Sequence, residues 1–376
     1  MRVIVVGGGI VGASAAFHLA SKGVSTTLVD RGHPGQATAA GAGIVFPWPF
    51  PWSTPQLREF QLRAAAHYPA LMADLAADGE TTGYDVVGGL SVSTDTSAAD
   101  RDFELVRSLA AEPGYEGLGE VARLAPGEPT RRFPLLPPDY QGTSVAGMAR
   151  VDGRQASAAL VNAAEKRGIR RLNADAELIG EQGRVRGVRV GGEEHPADAV
   201  IVAGGAWSAR LLAPFGVRVP VFPVRGQITH FAAPGQLTRD WPCVRLGERD
   251  HYLLTFPPNR IVTGGTREPE AGFDYRVTGA GLHQVLTDAI DILPGLAEAT
   301  VLETRVGFRP GSRDGLPILG TVGELPGVVV ATGLGAEGLT LGPYQGVVAA
   351  RLAMGEEAET DLVPFRPDRE VPDAVG

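Results

Sequence analysis

Residues 3–12 read Val-Ile-Val-Val-Gly-Gly-Gly-Ile-Val-Gly, and their reading decides the fold. Four apolar residues with β preference predict a buried parallel strand. Gly7, Gly9 and Gly12 then form G-x-G-x-x-G, and Ala13–Lys22 predicts a helix with Ala15, Ala16, Leu19 and Ala20 inward. A second strand, Ser25–Val29, delivers Asp30 at its C-terminal end. In such a unit Gly7 permits the tight turn, Gly9 lets a pyrophosphate approach the backbone, and Gly12 lets helix and strand pack closely. Ile10 and Val11 belong to the helix start, where free N–H groups and the positive end of the helix dipole meet phosphate. Asp30, with Arg31 beside it, is placed to accept hydrogen bonds from a ribose diol. The bland alternative is a glycine-rich turn without a ligand; strand, helix, second strand and acid in order favour a dinucleotide. FAD and NAD stay open at this point.

The chain has 376 residues, enough for a large core and two domains. Its formal net charge of −9 argues against nucleic acid as a partner. Cys243 is the only cysteine, which excludes intrachain disulfides and thiolate metal clusters. No His pair or acid cluster has metal-ligand spacing, so no metal is expected. No apolar run has the length of a membrane span, and the nucleotide-binding strand follows Met1 directly, so cytoplasmic residence is the expectation.

Farther along, Phe46-Pro-Trp-Pro-Phe-Pro-Trp is rigid, aromatic and non-helical. Trp48, Phe50 and Trp52 read as the wall of an apolar pocket, with a membrane-touching wedge or plain packing as alternatives. Helices are expected over 55–78, 98–111, 154–167 (capped by Asp152), 278–293 and 337–354. Strands are expected over 86–93, 184–190, 198–203, 301–308 and 328–332, with a β-rich stretch over 217–266. The Pro-rich stretch 126–138 predicts an ordered surface loop, and the tail after Pro364 frays or drapes over the surface. His230 and His251 fall in the β-rich stretch, as pocket or packing groups.

Val151-Asp-Gly-Arg, Pro223-Val-Arg-Gly-Gln, Gly307-Phe-Arg-Pro-Gly-Ser-Arg-Asp-Gly-Leu-Pro-Ile-Leu-Gly and Val330-Ala-Thr-Gly-Leu-Gly-Ala-Glu-Gly-Leu-Thr-Leu-Gly-Pro repeat one pattern. Together they make the chain resemble, over essentially its whole length, the FAD-dependent D-amino-acid oxidase, glycine oxidase and D-amino-acid dehydrogenase family. The fold so implied is α/β. A Rossmann-like FAD-binding domain is assembled from 1–85, 145–216 and 306–366. An α+β substrate domain with a mostly antiparallel sheet comes from 86–144 and 217–305, and 367–376 form a tail.

The resemblance implies FAD, held non-covalently. Thr38, Ala39, Ala40 and Gly43 would lie along the pyrophosphate and flavin, Ala176 by the adenine, and Ala203, Gly204 and Trp207 over the ribityl side. The turn and helix start at Gly335, Glu337, Gly338, Leu339 and Thr340 would aim N–H groups at the flavin edge, stabilising charge that develops there. Arg309 matches the family's clamp on a substrate carboxylate and Tyr252 a hydroxyl on the same group. Their alternatives are a salt bridge from Arg309 to an acid such as Asp314 and a Tyr252 merely packed in a sheet.

The implied reaction is oxidation of the C–N bond of a D-amino acid, a glycine-like or a secondary amino acid. Hydride passes from Cα to flavin N5 without a side-chain base, and the imino acid hydrolyses to an oxo acid. Oxygen or a quinone or other carrier takes the electrons, and a homo-oligomer is expected. An electron-transferring subunit of a larger dehydrogenase and an NAD-dependent dehydrogenase are the alternatives. The chain departs from several relatives at Leu334 and Ala336, uncharged where those carry a histidine or basic residue. Glu337 either selects a cationic substrate or accepts a hydrogen bond at the helix start.

Overall fold

A computed structural model describes residues 1–46, 53–181, 183–233, 235, 240–246 and 251–371. Trp48, Phe50 and Trp52 lie outside these residues. The first strand, Arg2–Val6, sits centrally in a six-stranded sheet. The order is Ile318–Thr321, Val328–Thr332, Ala199–Val202, Arg2–Val6, Ser25–Val29 and Arg170–Leu172. All pairings are parallel except that of the Ile318–Thr321 edge.

Alternation along these strands feeds two cores. Val3, Val5, Leu28, Ile201 and Val329 face the helices Ile10–Ser21, Gly153–Lys166 and Gly338–Ala353. Ile4, Val6, Val29, Val200 and Val330 face the other way, against Val185, Val188 and Val190 of a three-stranded antiparallel sheet. Asp152 caps the middle helix as its sequence predicts, accepting from Arg154 N at 3.0 Å and Gln155 N at 3.2 Å.

The second large sheet has eight strands, running Thr300–Ser312, Val221–Ala232, Arg260–Gly264, Tyr252–Phe256, Cys243–Leu246, Gly89–Ser93, Gln141–Val145 and Val121–Leu124. It is antiparallel apart from the Cys243–Leu246 and Gly89–Ser93 pair. Helix Gly279–Ile292 covers it through Ala289 and Ile292. The fold is thus a Rossmann-like α/β layer plus a mostly antiparallel sheet.

Several local expectations need correction. The strand expected to end at 308 continues to Ser312, because Val221–Ala232 pairs with it over its whole length. The boundary drawn at residue 306 therefore falls inside a strand. The Pro-rich stretch 126–138 is not simply a surface loop. It contains helix Glu128–Arg132, with Pro129 in the first turn where its missing N–H costs nothing, and it buries Phe133 and Leu136. Of the two outcomes expected for the tail, draping over the surface is the one seen as far as Arg369, whose Nε donates to Asp314 at 2.7 Å.

Candidate active site

A cavity of about 490 Å³ opens where the C-terminal ends of the parallel strands meet the antiparallel sheet, the crevice position that ligands favour in open α/β sheets. Gly7, Gly9, Ile10 and Val11 line it from the glycine turn, Asp30 and Arg31 from the end of the second strand, and Ala176 from its flank. Gly7 has φ +108°, and a Cβ there would collide with the carbonyl oxygen of Ala203. Gly12 does not line the cavity; a Cβ at Gly12 would strike the Gly7 carbonyl, so it serves the close packing of helix on strand.

The helix behind the turn carries no acid in its first turn, leaving its positive end open to phosphate. Thr38 Oγ1 accepts from Ile10 N at 3.0 Å, drawing the 37–40 segment over the turn. Thr38, Ala40 and Gly43 line the cavity from there. Ala39 faces away, its carbonyl taking Arg154 Nε at 3.0 Å. Asp30 is more engaged than its sequence position suggests: it accepts from Gly8 N, from Gly32 N at 2.5 Å and from Gln36 Nε2 at 3.1 Å. It therefore orders the glycine turn as well as facing the cavity.

Ala203, Gly204 and Trp207 line the next wall. Trp207 is sandwiched between His33, at 4.7 Å between ring centroids, and Phe273, at 5.0 Å. His33 also lines the cavity and was not singled out in the sequence; only its place three residues after Asp30 signals it.

At the start of the last helix, Gly335, Gly338 and Leu339 reach the cavity, as do Leu334 and Ala336. Glu337 occupies the cap position without capping. Its carboxylate accepts from Gln61 Nε2 at 2.7 Å, and burial pushes its pKa above the ordinary range. The helix N-terminus thus has no side-chain cap of its own. Thr340 also turns away, accepting from Phe46 N at 3.1 Å.

The antiparallel sheet contributes Arg309 and Tyr252, both half-buried and both lining the cavity. Arg309 Nη1 donates to the Thr266 carbonyl at 2.9 Å. Among the described residues it pairs with no carboxylate, and Asp314, the alternative partner weighed from sequence, is held by Arg369 instead. Arg267 lines the same cavity, unforeseen in the sequence. His230 and His251 do not: both are buried in the sheet, His251 Nε2 lying 2.5 Å from Thr263 Oγ1. Cys243 is buried too, away from the cavity.

A glycine cradle with no room for a Cβ, an acid-free helix end, an uncapped second helix end and a largely apolar crevice fit a flavin dinucleotide. The site is that of a flavoenzyme. The family model described as FAD dependent oxidoreductase matches residues 2–352, and the chain belongs to that family. It is 42% identical over 366 residues to the uncharacterized oxidoreductase YurR of Bacillus subtilis (strain 168), covering 97% of this chain and 98% of that protein. It is 31% identical over 380 residues to the glycine oxidase of Geobacillus kaustophilus (strain HTA426), covering 98% and 97%. The crystal structure of iminodiacetate oxidase from Chelativorans sp. BNC1 superposes with a TM-score of 0.93 at 42% identity, over 97% of this chain and 99% of that one. The protein is an oxidoreductase acting on CH–NH donors, and its cofactor is non-covalent FAD. Among the described residues, no helix is long and apolar enough to cross a membrane.

Proposed function

We propose that this flavoenzyme oxidises the C–N bond of a small amino acid bearing two carboxylates, a secondary amine of the iminodiacetate type. Bound FAD supplies the two-electron oxidant. The observation that carries the reading is Arg309, a guanidinium facing an apolar cavity with only a backbone carbonyl as partner among the described residues. Its remaining donors suit a carboxylate, and Tyr252 lines the same cavity. Arg267 would take the second carboxylate. The likeness to iminodiacetate oxidase supports that choice over a monocarboxylate.

Among the described residues, the acids lining the cavity are Asp30 and Asp175, both beside the end of the second strand. Arg31 ties Asp175 at 2.8 Å and His33 at 2.7 Å. These groups serve the nucleotide, so catalysis rests on orientation: the two arginines fix the substrate, and the amine enters neutral. The imine product is released to water and hydrolyses to an oxo acid and the amine that carried the other carboxylate. Glu337, hydrogen-bonded to Gln61, would act from the helix start rather than by contacting the cofactor.

Gly7, Gly9, Ile10, Val11, Asp30, Arg31, Thr38, Ala40, Gly43, Ala176, Ala203, Gly204, Trp207, Gly335, Gly338 and Leu339 are proposed to hold FAD. Oxygen or a quinone-type carrier is proposed as the acceptor. Titrating the holoenzyme with oxydiacetate and with methoxyacetate, while following the flavin spectrum, tests the substrate class. Oxydiacetate should bind at least about tenfold tighter, the equivalent of one further charge-assisted contact. Equal affinities would leave a single-carboxylate substrate.

A further inference from the structure

The run Arg225-Gly226-Gln227 lies on strand Val221–Ala232, directly beneath the Arg309 side chain. A Cβ at Gly226 would collide with Arg309 Nη1, so the guanidinium rests in the space the missing side chain leaves. Its acceptor, the Thr266 carbonyl, is fixed from both sides. Thr266 N donates to Gln227 O at 3.2 Å, and Gln227 N donates to Thr266 Oγ1 at 3.0 Å. Thr266 Oγ1 in turn donates to Glu268 Oε1 at 2.6 Å.

Glu268 is the hub of this arrangement. Oε1 also accepts from Gln227 Nε2 at 2.8 Å, while Oε2 accepts from Arg225 Nε at 3.1 Å and Nη2 at 2.5 Å. Backbone bonds between Arg225 and Glu268 run both ways, at 3.2 and 3.0 Å. Arg225, Gln227 and Thr266 are all buried, where an unpaired donor or acceptor is costly, so the arrangement has little freedom. Arg225 spends its charge inward on Glu268 and Asp274, at 2.5 and 2.9 Å, so on the paired strands Val221–Ala232 and Thr300–Ser312 it is Arg309 that lines the cavity as a cation, with Arg267 on the adjoining segment.

We infer that Glu268 and Gly226 are positioning residues that aim the Arg309 guanidinium at the substrate carboxylate, Glu268 through the Thr266 carbonyl and Gly226 by the space it leaves. This rests on the carboxylate-clamp reading above. Neither residue touches the substrate. Their influence is exerted only through Arg309, which makes it measurable as coupling.

The test is a double-mutant cycle on the holoenzyme with oxydiacetate as the probe. Its dissociation constant is read from the flavin spectrum, alongside flavin content and melting temperature. Glu268→Gln keeps the shape of the hub and removes its charge. It should weaken oxydiacetate about tenfold when Arg309 is present and less than about twofold in an Arg309→Ala background, as coupled neighbours do. Gly226→Ala supplies the same cycle should Glu268→Gln fail to fold; it should be harmful with Arg309 present and tolerated in the Arg309→Ala background. Equal losses in both backgrounds, or none in either, would overturn the inference, since a merely structural role lowers stability without this coupling. If Arg309→Ala itself leaves oxydiacetate binding unchanged, the clamp reading has failed. If Arg309→Ala weakens binding while Glu268→Gln and Gly226→Ala do not, the clamp stands and only the positioning inference falls.

Discussion

Arg309 Nη1 donates to the carbonyl oxygen of Thr266 at 2.9 Å, and no carboxylate among the described residues neutralises that guanidinium. A half-buried cation whose protein acceptor is a neutral carbonyl has donors left for a ligand anion. Replacing it by alanine should leave FAD in place but cost carboxylate affinity by roughly 2–5 kcal/mol, the range for truncating one partner of a buried charge pair. Dissociation constants for oxydiacetate, read from the flavin spectrum of wild type and Arg309→Ala, check this. Unchanged affinity would remove Arg309 from the substrate site.

Asp30 carries two tasks. It accepts from Gly8 and Gly32 backbone N–H groups and faces the cavity that would take the ribose. Asp30→Ala should therefore lower flavin content and melting temperature together, because the glycine turn loses its internal acceptor as well. Flavin-to-protein ratio after gel filtration and thermal melts measure both. A fully loaded variant with normal stability would contradict the assignment.

Gly7 sits at φ +108° with the Ala203 carbonyl where its Cβ would be. Gly7→Ala incurs left-handed backbone strain of about 1–3 kcal/mol in addition to the steric clash. The expected outcome is apoprotein with a lowered melting temperature. Flavin absorbance per chain is the readout, and normal loading would show that the turn can relax.

His230 supplies a pH dependence. It is buried, neither ring nitrogen has a hydrogen-bond partner among the described residues, and burial beside Arg305 and Arg260 pushes its pKa down to about 3. The unfolded chain binds this proton near the ordinary value of 6.5 while the folded chain does not. Stability should therefore be lost as pH falls from about 6.5 toward 3. His230→Leu keeps an apolar filling and should soften that acid limb, seen as a smaller drop in melting temperature between about pH 7.5 and pH 5. An unchanged drop would place the acid sensitivity elsewhere.

The parts legible in the sequence are those whose cause is local. The strand at 3–6, the glycine turn and the Asp152 cap each follow from a few neighbouring residues. Family resemblance, rather than periodicity, singled out Arg309 and Tyr252. Features set by long-range packing were not readable: Arg225 finds Glu268 43 positions away, and His33 stacks on Trp207. Nor does sequence spacing reveal which way a side chain turns within one helical turn. Gly338 and Leu339 therefore reach the cavity, while Glu337 points to Gln61 and Thr340 to the Phe46 amide. In the Pro-rich stretch, composition suggested exposure, yet Phe133 and Leu136 anchor it in the core.

The decisive measurement is anaerobic mixing of the holoenzyme with iminodiacetate, glycine, sarcosine and D- and L-amino acids, followed by admission of oxygen. Iminodiacetate should bleach the flavin faster than the monocarboxylates, and an oxo acid should appear. Arg309→Ala should slow bleaching at low substrate. Flavin that stays oxidised with every amine, or that glycine, sarcosine or another monocarboxylate bleaches as fast as iminodiacetate, would contradict this.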